Sequence, residues 1–384
     1  MYKTHLWLGI ISGIVLFVVC LTGTVLVFEG DIISFLERDK HFVSHPGKSV
    51  LNLDDLVAKV EQDTNSKVIL VDIDDRRIDT TKYYSMVTKT ENYKNAETKP
   101  EIQIQRHSVD PYTGEIVIFE NSFSPLGEFF YVVRRLHQRL FLPSPIGELV
   151  VGSATLIFVI ITLSGFCLWL PANFRNIKAW KNGCLIRFRK GKYSLIFDLH
   201  KTLGFYALIP ILLMALTGLT WSFQWYENGV HMVFAPYPYT PLKSLPKNPD
   251  AKQLPIGFFD KKADELLAPR KGGYRKIFFP EKEDDGVMIM EWRREGLLQL
   301  GGLDRIQFDQ YTGEVLQFDN FDKFSISKKI VVLFPLIHYG SFLGLSTRII
   351  FFIACLIATT LPITGVVIWW RKLRNLRKAK NKTE

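Results

Sequence analysis

The chain has 384 residues, of which 47% are hydrophobic and 22% charged, with a formal net charge of +10. So high an apolar content excludes a disordered polymer. The four cysteines are Cys20, Cys167, Cys184 and Cys355; none lies in a segment read below as exported, and no pair has the spacing of an iron–sulfur or zinc site.

The apolar residues gather in runs that alternate with charged stretches. A hydrocarbon core about 30 Å thick needs about 20 helical residues at about 1.5 Å each. Leu6–Phe28 fits that length, and its end, Val25-Leu-Val-Phe-Glu-Gly30, lacks a small-x-small cleavage site, so residues 1–28 predict a retained span. Residues 29–136 predict an exported α+β domain. Within it, Leu53–Val60 has helical spacing behind Asn52 as cap, and Lys67–Ile73, Ile102–Val109 and Ile116–Phe119 read as strands. Asp110-Pro-Tyr-Thr-Gly-Glu115 reads as a hairpin turn whose glycine takes a positive φ.

Residues 137–170 join an outer histidine, His137, to a second span, Ile146–Leu170; no span carries a charge in its middle, and Glu148 stands at the start of this one. Residues 171–199 form a basic loop containing Arg175, Lys178, Lys181, Arg187, Arg189, Lys190 and Lys192. His200 then opens residues 200–226, with a third span at Leu203–Trp225. Residues 227–336 predict a second exported domain, in which a helix is hard to place around Ala263–Leu267. Residues 337–370 carry His338 and a fourth span, Thr347–Trp370, before a tail (371–384) containing Arg371, Lys372, Arg374, Arg377, Lys378, Lys380 and Lys382.

Basic runs can mark nucleic-acid binding, but these abut spans. Positive-inside topology and lipid headgroup contact account for them. Both termini are therefore expected to be cytoplasmic, with no nucleic-acid partner. The expected fold class is membrane α-helical, with four spans as a parallel two-fold repeat and two exported α+β domains.

The repeat is read from five motifs. His5-Leu-Trp-Leu-Gly9 answers His200-Lys-Thr-Leu-Gly204, and Leu21-Thr-Gly23 answers Leu216-Thr-Gly218. Asp110-Pro-Tyr-Thr-Gly-Glu115 answers Asp309-Gln-Tyr-Thr-Gly-Glu314, and Leu136-His137 answers Ile337-His338. Finally Leu163-Ser-Gly165 answers Ile363-Thr-Gly365, and all offsets fall between 195 and 201. The halves run in one direction, so the expected axis lies along the membrane normal.

Two-fold symmetry brings His5 towards His200 at the cytoplasmic face and His137 towards His338 at the outer face. Each pair offers two neutral imidazoles, which suits axial ligation of b-type haem iron; no Cys-x-x-Cys-His is present for covalent attachment. An interfacial histidine equally serves as a hydrogen-bonding group, but repetition at matched depth favours a functional set. Gly23 stands about 27 Å along its helix from His5, at the depth of the outer pair, while Gly165 and Gly365 lie near the inner pair. With Gly218, these glycines offer notches for a flat macrocycle or, alternatively, for close helix packing. His41, His45 and His107 read as surface residues, and His231 as an alternative outer ligand. Trp7, Trp169, Trp221, Trp369 and Trp370 sit near span ends, as an aromatic belt does.

Together these motifs resemble the PepSY-associated transmembrane proteins, over nearly the whole chain. The family includes bacterial inner-membrane ferric-siderophore reductases of the ferrioxamine reductase type. That resemblance implies PepSY-like exported domains, two b-type haems held by His5, His200, His137 and His338, and outward electron transfer to periplasmic ferric chelates. It also implies a separate cytoplasmic or quinol donor, since the chain carries no flavin domain. Arg134, Arg135, Lys328 and Lys329 are candidates to attract an anionic chelate between the exported domains, and Phe166 or Trp221 to bridge the haems. A second class remains open, a membrane-anchored PepSY binding or regulatory protein without redox activity. A transporter ranks below both, because mid-span polar residues are few (Ser153, Thr155, Thr162).

Overall fold

The computed structural model describes residues 1–74, 82–92, 101–120, 124–188, 191–234, 242–245, 252–267, 274–282, 284–292 and 303–380. Arg189, Lys190 and Lys382 of the basic segments lie outside these.

In chain order the elements used below are α1 (Tyr2–Leu26), α2 (Leu53–Thr64), β1 (Lys67–Asp74), β2 (Tyr84–Asn92), β3 (Glu101–Val109), β4 (Ile116–Glu120) and α3 (Pro125–Arg139). Then come α4 (Ile146–Trp169), α5 (Ile177–Cys184), α6 (Lys192–Asp198), a π-helical turn (Leu199–Leu203) and α7 (Leu208–Ser222). The last are α8 (Ile256–Leu266), β5 (Tyr274–Phe278), β6 (Val287–Trp292), β7 (Leu303–Phe308), β8 (Val315–Asp319), α9 (Phe334–His338) and α10 (Leu345–Lys380). The chain divides into two units: Met1–Glu29, Gly127–Phe234 and Leu333–Glu384 form one, and Gly30–Leu126 with Ala235–Val332 the other.

In the first unit α1, α4 and α10 are long and apolar enough to cross a membrane; a fourth crossing exists if Lys192–Tyr206 and Leu208–Ser222 count together, although they meet at 61°. The third apolar run, read as a span over Leu203–Trp225, is therefore bent. Its break at Ala207 has a cause three residues on. Pro210 donates no N–H and its ring crowds the carbonyl of residue 206, so the ladder opens there. α1 packs against α4 and α10, and α4 against α7. Trp7 meets Trp369 at 6.4 Å and Lys372 lies 4.2 Å over the Tyr2 ring, so both chain ends share one end of the bundle, the terminal end. Arg348 donates to the Val27 carbonyl at 2.9 Å at the other, far end. Glu148, at the start of α4, is paired with Arg139 at 2.7 Å.

In the second unit the strands from residues 29–136 and 227–336 form one eight-stranded sheet, ordered β4-β3-β2-β1-β5-β6-β7-β8. Each segment supplies a four-stranded meander, and the two join where β1 pairs antiparallel with β5. The hairpin turns form as read: Gly114 and Gly313 have φ of +71° and +72°. Asp110 and Asp309 each accept from the backbone two residues on at 2.7 Å, as turn aspartates do. α2 begins at the expected cap, where the Asn52 side chain accepts from the Asp54 N–H at 3.3 Å. The second segment has its helix too, α8, starting after Pro255 and ending at Leu266, so the Ala263–Leu267 stretch, where a helix was hard to place, forms its C-terminal end. The two helices touch, Gly257 N–H donating to Asp54 at 3.0 Å.

The helix-covered face holds the core. One cross-strand row runs Met86, Val71, Ile277, Ile289, Ile306, all buried. His107, read as a surface residue, extends this row: it pairs with Met86, is 1% exposed and hydrogen-bonds Thr88 at 2.8 Å. Burial holds its imidazole below the usual histidine value. Its strand alternation was legible, but its face was not.

The adjacent row is charged in the second segment only: Ile73 pairs with Arg275, Arg275 with Glu291, and Glu291 with Asp304. Arg275 has no exposed surface. It binds Glu291 at 2.6 Å and Asp264 at 3.0 Å, and also Asp260. Burial nevertheless pushes the Glu291 carboxyl above its ordinary value, against the pull of Arg275. Removing one member of a buried pair leaves the other charge uncompensated, at about 3–5 kcal/mol. Arg275→Ala is therefore expected to lower the unfolding free energy of the sheet unit by about that much, measured by denaturant titration; a change under about 1 kcal/mol would show that solvent reaches the cluster.

Candidate functional site

The four histidines at repeated positions form two pairs within the helical unit. His5 and His200 have ring centroids 6.4 Å apart with planes at 86°. His137 and His338 have centroids 6.5 Å apart with planes at 67°. The sequence-read pairing is thus the observed proximity.

Each ring lies against a glycine on a neighbouring helix. A methyl group at Gly165 would stand 3.1 Å from His5 Cε1, at Gly23 3.1 Å from His137, at Gly218 2.9 Å from His338, and at Gly365 3.4 Å from His200. All four glycines named from sequence therefore lie at the site. Imidazoles fill their notches, where a macrocycle face was expected, because a ring needs the space of an absent Cβ to lie flat on a helix.

Sequence reasoning missed the residue before each glycine. Thr22 bonds His137 Nδ1 at 3.0 Å, Ser164 bonds His5 at 3.0 Å, Thr217 bonds His338 at 3.2 Å and Thr364 bonds His200 at 2.8 Å. Carbonyls join them: Val19 with His137 at 2.9 Å, Ile161 with His5 at 3.1 Å and Met214 with His338 at 2.9 Å. A carbonyl only accepts, so Nδ1 carries the proton in these three rings. Thr364 donates its own hydroxyl proton to the Thr360 carbonyl at 2.9 Å, leaving a lone pair to accept from His200. The signal was present: a hydroxyl residue precedes glycine in all four motifs.

With Nδ1 protonated and engaged, each ring presents Nε2 as a free lone pair, the tautomer in which a ligating histidine is held by an outer-shell acceptor. A nitrogen ligand sits about 2.0 Å from the metal and about 1.1 Å from its ring centroid, so two imidazoles sharing one iron would have centroids about 6.2 Å apart. The observed separations match. Two imidazoles are too few for a bare ion, which needs four or more donors, and among the described residues no cluster of three or more His, Cys, Asp or Glu could supply them. A haem brings four nitrogens of its own. The residues present therefore fit a b-type haem at each end.

His231 does not join the outer pair; its Nε2 lies 3.7 Å from Glu227. Of the candidate chelate-attracting cations, Arg134 is held by Glu29 at 2.6 Å. Lys328 and Lys329 lie over the Phe324 and Phe321 rings at 4.0 and 5.4 Å. Phe166 and Trp221 each stay at one end. Phe166 stacks with Trp169 and Phe205 at 6.2 and 6.4 Å, and Trp221 sets its edge against His338 at 5.0 Å. Among the described residues no ring contact runs from one histidine pair to the other, and the pairs are about 26 Å apart along α1.

No curated protein matches the chain. The family described as the PepSY-associated TM region matches residues 2–372, which carry both histidine pairs and every apolar span. The chain accordingly belongs to the PepSY-associated transmembrane family.

Proposed function

We propose that this membrane protein carries electrons across the bacterial inner membrane, from a separate cytoplasmic or quinol donor to a ferric chelate of the siderophore class outside. The observation that carries this reading is the pair of imidazoles at each bundle end, with centroids 6.4 and 6.5 Å apart and each ring's Nδ1 committed to a neighbouring helix. His5 and His200 would hold one b-type haem, His137 and His338 a second; once bound, haem supplies one-electron iron chemistry. The chain's own contribution is orientation. Ser164, Thr22, Thr217 and Thr364 fix the tautomer, the glycines set how closely each ring approaches its helix, and the apolar spans keep water from the ligating nitrogens. Donor-side binding falls to the terminal end, whose basic loop and tail orient it to the cytoplasm. We read the two halves as copies of one unit, a view supported by the recurrence of the same histidine–hydroxyl–glycine set four times.

Absorbance of the purified protein tests the reading. The expected result is a dithionite-reducible b-type spectrum with about two haems per chain by pyridine haemochrome. A colourless preparation from haem-replete cells would refute it and favour a membrane-anchored binding or regulatory protein.

A further inference from the structure

His5 lies on a regular helix, but His200 lies on a π-helical turn, Leu199–Leu203. Such turns are rare within helices and keep poorer backbone bonding, so this one needs support from outside. The support is the segment 182–187 of the basic loop. Lys201 donates to the Asn182 carbonyl at 3.1 Å, Thr202 to Gly183 at 3.1 Å and Tyr206 to Cys184 at 3.1 Å. Asp198 accepts three times from Arg187: from Nη2 at 2.6 Å, Nε at 2.7 Å and the backbone N–H at 3.2 Å. These bonds bracket His200 on both sides in sequence. The same segment meets α4, which supports His5, because Trp169 donates to the Gly183 carbonyl at 3.1 Å and stacks on Phe205 at 3.6 Å.

Asp198 is the only acid between Glu148 and Glu227, and it has no exposed surface. Positive-inside topology explains the basic residues around it and gives no reason for this carboxylate. A buried carboxylate with a two-pronged arginine fixes orientation as well as charge.

We propose that Arg187 and Asp198 are positioning residues that hold the π-turn so that His200 faces His5. The inference rests on the haem reading above and assigns to the basic loop a role in the geometry of the terminal-end ligand pair. Loss of an outer-shell partner weakens metal binding about 10- to 100-fold.

The test uses full-length protein in nanodiscs, with haem binding followed separately at the two ends by low-spin EPR and redox titration. In Asp198→Asn, haem affinity at the terminal end should fall about 10- to 100-fold and its EPR signal should move, since that signal reports the angle between imidazole planes. The far-end signal should stay. Asp198→Glu should restore part of the affinity. Because Asp198→Asn leaves Arg187 without its carboxylate partner, Arg187→Leu/Asp198→Leu is the second variant; it removes both charges, a change that folded proteins often tolerate. It should insert normally, keep the far-end signal and lose the native terminal-end one. Unchanged terminal-end affinity and signal in both variants would overturn the proposal while leaving the haem reading intact. Equal loss at both ends in the double variant would overturn it too, because the effect would then be global. Absence of haem from the wild-type protein refutes the underlying reading instead, and is seen before any variant is made.

Discussion

Alanine at any one of the four paired histidines is expected to remove one haem and leave the other. His5→Ala and His200→Ala should each cost the terminal-end haem, and His137→Ala and His338→Ala the far-end haem, so haem per chain falls to about half in every single variant. The reason is geometric. Each iron would have one protein ligand on each side, and the surviving imidazole cannot close both. The loss should exceed the roughly 10- to 100-fold that removal of an outer-shell partner costs, because a ligand itself has gone. The double variant His5→Ala/His200→Ala should behave like either of its singles, whereas His5→Ala/His137→Ala should hold no haem. Pyridine haemochrome gives the stoichiometry and redox titration shows which centre is lost. Four graded, unpaired effects would overturn the proposal that the rings 6.4 and 6.5 Å apart share irons.

The second large effect is expected from the glycines, and its order is set by the structure. Glycine to alanine in a helix ordinarily stabilises by about 1 kcal/mol, so any loss opposes propensity. At Gly218 the new methyl would stand 2.9 Å from His338 Cε1, closer than such contacts occur. The ring must move, and its bonds to Met214 and Thr217 stretch with it. Gly218→Ala should therefore weaken the far-end haem about 10- to 100-fold, as loss of an outer-shell bond does. Gly23→Ala and Gly165→Ala, at 3.1 Å, should cost less, and Gly365→Ala, at 3.4 Å, should be nearly silent. Haem titration of the four apo-variants measures this. Equal losses at all four, or none at Gly218, would show that the glycines serve helix packing and not the rings.

Much of this architecture was legible because a bilayer forces its signature onto sequence. The runs now seen as α1, α4 and α10 had to be long and apolar, and positions repeated near 200 residues apart identified which histidines belong together. The turns at Gly114 and Gly313 were equally plain, since positive φ favours that residue. Other features were hidden for definite reasons. His107 sits mid-strand with no turn or charge pattern to show which face it takes. The bend before Pro210 was obscured because hydropathy ignores backbone geometry. Asp198 lies outside every repeated motif, and its burial is set by packing alone.

What the sequence by itself determined is therefore the membrane character, the candidate ligands and their pairing, all encoded in composition and spacing along one chain. Only the tertiary structure decided that the two segments between the apolar runs share a single sheet, since pairing β1 with β5 joins residues about 200 positions apart through backbone bonds that most side chains permit. It also decided which atom of each imidazole is left free. That depends on carbonyls and hydroxyls of a neighbouring helix lying within 3.2 Å, a proximity created by packing.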